Sequence, residues 1–95
     1  MTKPTIHLNG TSAEDLLQGY RDAAAAVADA TTAIGKIEFN ARDYYPVEGS
    51  WQSARAEMDA RLRALAALHA ELMEIAIHCS DAVAERESRR ARHGN

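Results

Sequence analysis

Residues 58–83 read MDARLRALAALHAELMEIAIHCSDAV, and the spacing of their apolar members decides the fold. Met58, Leu62, Leu65, Leu68, Leu72, Ile75 and Cys79, then Ala82 or Val83, follow one another at steps of three and four. That is one face of a helix, and from Leu65 onward the rhythm is that of a coiled coil. The opposite face carries Arg55, Glu57, Asp59, Arg61, Arg63, Glu71 and Glu74, as a water-facing helix surface does. The spacing predicts helix two over 51–88, with a basic tail at 89–95.

The same period runs through the first half of the chain. Leu16, Leu17, Tyr20, Ala24, Val27, Thr31, Ile34 and Ile37 again share one helical face. Thr11 with Glu14 has capping-box spacing, and Ser12 with Asp15 offers a similar start. Ala23 to Ala26 lets another backbone approach closely, while Gly19 and Gly35 each weaken the helix by up to about 1 kcal/mol relative to Ala. Helix one is expected over 12–39. Before it, Pro4, the alternating Thr5-Ile6-His7-Leu8 and the turn pair Asn9-Gly10 have no partner strand. Residues 1–11 therefore read as an extended arm laid along the helices by Ile6 and Leu8.

Between the helices lies a connector, 40–50. Pro46 biases Tyr45 toward extended backbone, and Gly49-Ser50 reads as a turn and N-cap for helix two. At 1.5 Å per residue helix one spans roughly 40 Å and helix two roughly 55 Å, so a hairpin leaves part of helix two without a partner. The expected fold is all-α: a single domain over 1–95, a long antiparallel helical hairpin with a short extended N-terminal arm. Two hairpins packed together would cover the bare stripe, which predicts a helical-bundle homo-oligomer.

Bulk composition agrees with one small helical domain. The chain has 95 residues and about a fifth of them are alanine, which favours helix but buries little area. A net charge of -3 and a pI near 5.7 argue against general nucleic-acid binding, which wants a basic surface. Arg86, Arg89, Arg90 and Arg92 near the end suit the negative pole of helix two. The one cysteine, Cys79, excludes an intramolecular disulfide. No leader pattern and no membrane-length apolar run is present, so a cytoplasmic setting is expected.

Catalytic and metal chemistry find little footing. Glu71, Glu74, His78, Cys79 and the nearby His69 lie on helix two, but a di-iron bundle needs a Glu and a His three apart, repeated on another helix. A structural zinc site needs more Cys or His at short spacing. Cys79 falls on the apolar seam, where cysteine acts as a small hydrophobe, and no nucleophile is paired with a base and an orienting group. A glycine-rich phosphate loop is also missing. No metal, no cofactor and no enzyme activity are expected.

The aromatics point elsewhere. Phe39, Tyr44, Tyr45 and Trp51, four of the five in the chain, gather where it must turn, although aromatics ordinarily spread through a core. Arg42 offers a planar donor fork for phosphate or carboxylate, and Asp43 can orient it or accept from a ribose or base. Tyr44, Tyr45 and Trp51 offer faces for stacking. Asn9, Thr11 and Ser12 open helix one, where free N–H groups favour an anion. In one antiparallel hairpin these regions sit at opposite ends, so a pocket combining them needs a second subunit or a folded-back arm. The alternative is structural: the aromatics plug the bundle end while Arg42 and Asp43 pair to hold the turn.

The segments Ile6-His7-Leu8-Asn9-Gly10-Thr11-Ser12 and Arg42-Asp43-Tyr44-Tyr45-Pro46 resemble a group of short phage and prophage proteins, a likeness that implies no activity. In size and architecture the chain is also similar to the phage anti-CBASS and anti-Thoeris sponges, small helical hairpins that oligomerise and sequester nucleotide immune signals without cleaving them. Part of that group has a Gly-Tyr-Arg-Asp segment, here Gly19-Tyr20-Arg21-Asp22. It lies inside helix one, so the resemblance implies a class and not a pocket. The leading expectation is a non-enzymatic anti-defence protein that sequesters a nucleotide-derived signal. The alternatives are an inhibitor that binds a host defence or replication protein, and a structural or accessory bundle.

Overall fold

The computed structural model describes residues 1–7 and 9–93. Leu8, half of the expected apolar anchor of the arm, and the last two residues of the expected tail lie outside the described residues. Helix α1 spans Ala13–Gly35 and helix α2 spans Ser50–His93, with a short 3-10 turn at Ala41–Asp43 between them. The described residues hold no strand. The two helices pack as an antiparallel hairpin: Glu14 at the start of α1 meets Arg86 near the end of α2, and Phe39 beyond α1 meets Trp51 at the start of α2. The molecule is a rod of 74 × 22 × 18 Å.

Each helix end has a local cause. Of the two candidate starts for α1, Ser12 is the N-cap: its Oγ accepts from the Asp15 N–H at 3.1 Å. Glu14 reaches across to Arg86 instead. Glu14 and Asp15 also place negative charge at the positive helix pole.

The far end of α1 comes earlier than the expected 39. The Ala33 and Ile34 carbonyls accept from the Lys36 and Ile37 N–H groups at 3.1 Å each, tightening the last turn. The approach to it is weak for a helix: Thr31 and Thr32 turn their hydroxyls back to the Val27 and Ala28 carbonyls, and Gly35 follows. Ile37 is therefore off the packed face and 54 % exposed.

Helix α2 is longer than expected, running through 89–93. An Arg89–Glu85 pair at 2.6 Å, one turn apart, and several arginines near the negative pole favour the extra turns. Ser50 is not an N-cap but the first residue of α2. Its Oγ donates to the Tyr44 carbonyl at 2.7 Å. Gly49 makes the expected turn at φ 79, where a side chain would be strained.

The core is thin and made of small groups. Among the described residues the buried apolar ones are Ala13, Ala24, Ala54, Ile75, Ala76 and Cys79. Leu16, Leu17, Leu62, Leu65 and Leu72 are only half-buried along the seam. Leu68 leaves the expected stripe, at 42 % exposed, while His69 beside it turns inward. At the seam's edge His78 Nε2 lies 2.8 Å from the Pro4 carbonyl, which requires its proton on that nitrogen. Lys3 Nζ lies 3.3 Å from Glu74.

Because alanine sets the helix separation, enlarging it is costly. Ala76→Leu is expected to destabilise the fold by about 1–3 kcal/mol, and Ala25→Leu on the exposed face of α1 to change stability by no more than about 0.5 kcal/mol. Urea denaturation followed by circular dichroism compares the two.

Candidate functional site: the connector and the two ends of the hairpin

The connector folds over the first turns of α2 on a dense set of short-range hydrogen bonds. Asp43 and Tyr44 donate to the Asn40 and Ala41 carbonyls, and Val47 and Ser50 donate to those of Tyr44 and Val47. The Tyr44 carbonyl thus accepts from both the Val47 N–H and the Ser50 hydroxyl. This double acceptor ties the middle of the connector to the first residue of α2.

On that frame three aromatic rings close on one another. Phe39 lies edge-on to Tyr44 with centroids 5.9 Å apart, and packs against Trp51 at 4.8 Å. Tyr44 and Trp51 are 5.7 Å apart. All three are half-buried, and Arg55 stands over the Trp51 ring at 5.9 Å, where a guanidinium gains from the ring quadrupole. Tyr44 and Trp51, read as stacking faces, spend much of their surface on this cluster. Phe39, left out of the candidate site set, completes it. Its place among the clustered aromatics was visible in the sequence, but the contact needs α1 to stop at Gly35.

The other connector residues point outward. Tyr45 is 80 % exposed, and Arg42, Asp43 and Val47 are exposed as well. Among the described residues no ion pair joins Arg42 to Asp43, so the pairing weighed for the turn is not made. A groove of about 520 Å³ beside them is lined by Tyr44, Glu48, Ser50 and Glu57, among others, with no Lys or Arg in its wall. Two carboxylates and no cation disfavour a phosphate there.

Asn9, Thr11 and Ser12 sit at the opposite end of the rod. Asn9 and Thr11 are exposed, and the Ser12 hydroxyl is engaged in capping. One chain therefore does not bring them to the connector. Ser12, but neither Asn9 nor Thr11, lines a groove of about 390 Å³ that includes Ile6, His7, Ala82, Arg86 and Arg89. Each of its arginines already faces a carboxylate, Glu14 and Glu85 respectively. The turn into this end is closed by Gly10 N–H to the His7 carbonyl at 3.2 Å, and a Cβ on Gly10 would come within 2.8 Å of Nε2 at the tip of the exposed His7 side chain, which would have to move aside. The Glu14–Arg86 contact spans seventy-two residues, a proximity no local motif announces.

The acidic and histidine side chains of α2 do not converge. Glu74 faces Lys3 and His78 faces Pro4, and among the described residues no three His, Cys, Asp or Glu groups are placed to hold a metal. Cys79 is fully buried, and burial raises its thiol above the usual range. No helix among the described residues is long and apolar enough to cross a membrane. No family model, curated protein or solved structure matches the chain.

Two outcomes follow from this geometry. Trp51→Ala is expected to cost about 2–3 kcal/mol, below a fully buried aromatic deletion, and Tyr45→Ala no more than about 0.5 kcal/mol, both read by urea denaturation. The raised Cys79 pKa means that the folded state favours the neutral thiol. Its contribution to stability is complete below the unfolded value of 9.0 and is lost as pH rises beyond it. Cys79→Ala should flatten the part of the stability decline above pH 9 that this thiol causes.

Proposed function

We propose that the protein is a non-enzymatic binding protein that engages a protein target through the connector, as a subunit of a homo-oligomer. The observation that carries this reading is the contrast within the connector. Phe39, Tyr44 and Trp51 form a packed base, while Tyr45 is held out at 80 % exposure beside exposed Arg42, Asp43 and Val47. Tyrosine and arginine are frequent interface anchors, and a pre-ordered base lowers the entropy lost on binding. The phage-like sequence pattern makes a host defence or replication protein the natural target class, met in the cytoplasm.

Sequestration of a nucleotide signal draws less support from the same surface. Stacking favours open ring faces, and only Tyr45 remains well exposed. The adjoining groove is acidic, and the arginines at the far end are paired. Self-association belongs to the proposal because the rod exposes 7201 Å², against about 5,400 Å² for a compact monomer of its mass. The extended N-terminal arm is part of it too, supported by the contacts of Lys3 and Pro4 with α2.

Immobilised protein is expected to retain one stoichiometric bacterial protein from lysate, and Arg42→Ala/Tyr45→Ala to lose it with helicity unchanged. Native mass spectrometry with cyclic dinucleotides, cyclic trinucleotides and ADP-ribose derivatives provides the opposing arm. A stoichiometric, unaltered nucleotide adduct would move the function to sequestration. A chemically altered one would make the protein an enzyme.

A further inference from the structure

Helix α2 carries a second stripe of small and apolar residues, distinct from the one that packs on α1. Ala66, Ala70, Met73, Ile77, Ser80 and Ala84 follow at steps of four, three, four, three and four, the heptad spacing of a helix–helix seam. At 100° per residue this line lies about a third of a turn from the Leu65–Leu72–Cys79 line. Met73 is 38 % exposed and Ile77 is 56 % exposed, and Ala66, Ala70 and Ala84 are exposed with them. The described N-terminal residues do not cover the stripe: they reach Glu74 and His78 on the flank, leaving Ile77 open.

We propose that this stripe is covered by the same stripe of a second copy, with the two α2 helices antiparallel. The inference rests on the self-association included above and specifies its surface. Charge decides the direction. A parallel, in-register pair would set Asp59 on Asp59 and Glu87 on Glu87, each one heptad beyond the stripe on its own line, and like charges along a seam oppose association. An antiparallel pair centred between Leu72 and Glu71 removes those clashes and brings Arg63 near the partner's Asp81 at both ends. Both residues are exposed, and neither is in an ion pair among the described residues.

Packing decides the register. With this centre Met73 sits on the partner's Ala70 and Ile77 on the partner's Ala66, and the two-fold axis repeats each layer. Every bulky side chain then meets an alanine, the large-against-small interdigitation that fills a helix seam. Sliding one heptad in one direction sets Met73 against the partner's Arg63. Sliding the other way stacks Ile77 on the partner's Met73 and leaves Ala70 facing the partner's Ser80. The rod as a whole exposes about 1,800 Å² more than a compact monomer of its mass, while a standard interface covers roughly 800 Å² per partner.

Sedimentation equilibrium of the full chain tests the surface and the register together. The wild type is expected to be an even-numbered oligomer. Ile77→Glu should weaken the pairing on the order of 100-fold with helicity unchanged. Arg63→Glu and Asp81→Arg should each weaken it about tenfold, and the double variant should return to within about threefold of wild type. An intact oligomer in Ile77→Glu would overturn this stripe while leaving self-association standing. Loss with Ile77→Glu but no rescue in the charge-swapped double variant would overturn the antiparallel register. A wild type still monomeric at about 100 micromolar, a concentration that populates even a weak dimer, would overturn both the surface and the self-association behind it.

Discussion

The packing of α1 on α2 through alanine is the constraint on which the rest of this structure depends. Ala13, Ala24, Ala54 and Ala76 are buried at the seam, where small side chains let the two backbones lie close. The same choice limits the driving force, because apolar burial stabilises in proportion to area and an alanine offers little. The leucines flanking the seam stay half in water. The hairpin is thus well specified in geometry and modestly supplied with core, a combination that leaves apolar surface over for other contacts.

The connector answers the problem created at the end of α1. That helix stops at Gly35, and the chain must return without a long buried loop. Phe39, Tyr44 and Trp51 supply at this end the apolar mass that the alanine seam lacks, and the Tyr44 carbonyl with its two donors holds the path. Two roles that the sequence placed on the same residues are thereby divided. Tyr44 and Trp51 hold the fold, while Tyr45 and Arg42 face outward. The far end is organised by charge, with Arg86 joining Glu14 across the hairpin.

Much of the architecture was legible because helical periodicity is local. The apolar steps of Leu16 to Ile34 and of Met58 to Val83 identify both helices and their packed faces. Leu68 and Ile37 failed as core positions for different reasons. Leu68 has the right spacing, but the α1 contact runs past it on the side of His69, and a crossing direction is not written in spacing. Ile37 continues the pattern beyond a helix that ends early, where Thr31, Thr32 and Gly35 together outweigh periodicity. At the connector, composition marked the place but not which aromatics would turn inward.

The sequence by itself determined that this protein is all-α, that its two helices each have one packed face, and that the chain turns at its aromatic cluster. These follow from interactions between residues three or four apart, or from the backbone limits of Gly49 and Pro46. Only the tertiary structure decided which aromatics form the plug, that Glu14 meets Arg86 across the hairpin, and that Met73 and Ile77 are left bare. Those outcomes depend on how two helices are set against each other, a choice made by the summed packing of many small side chains and carried by no single motif.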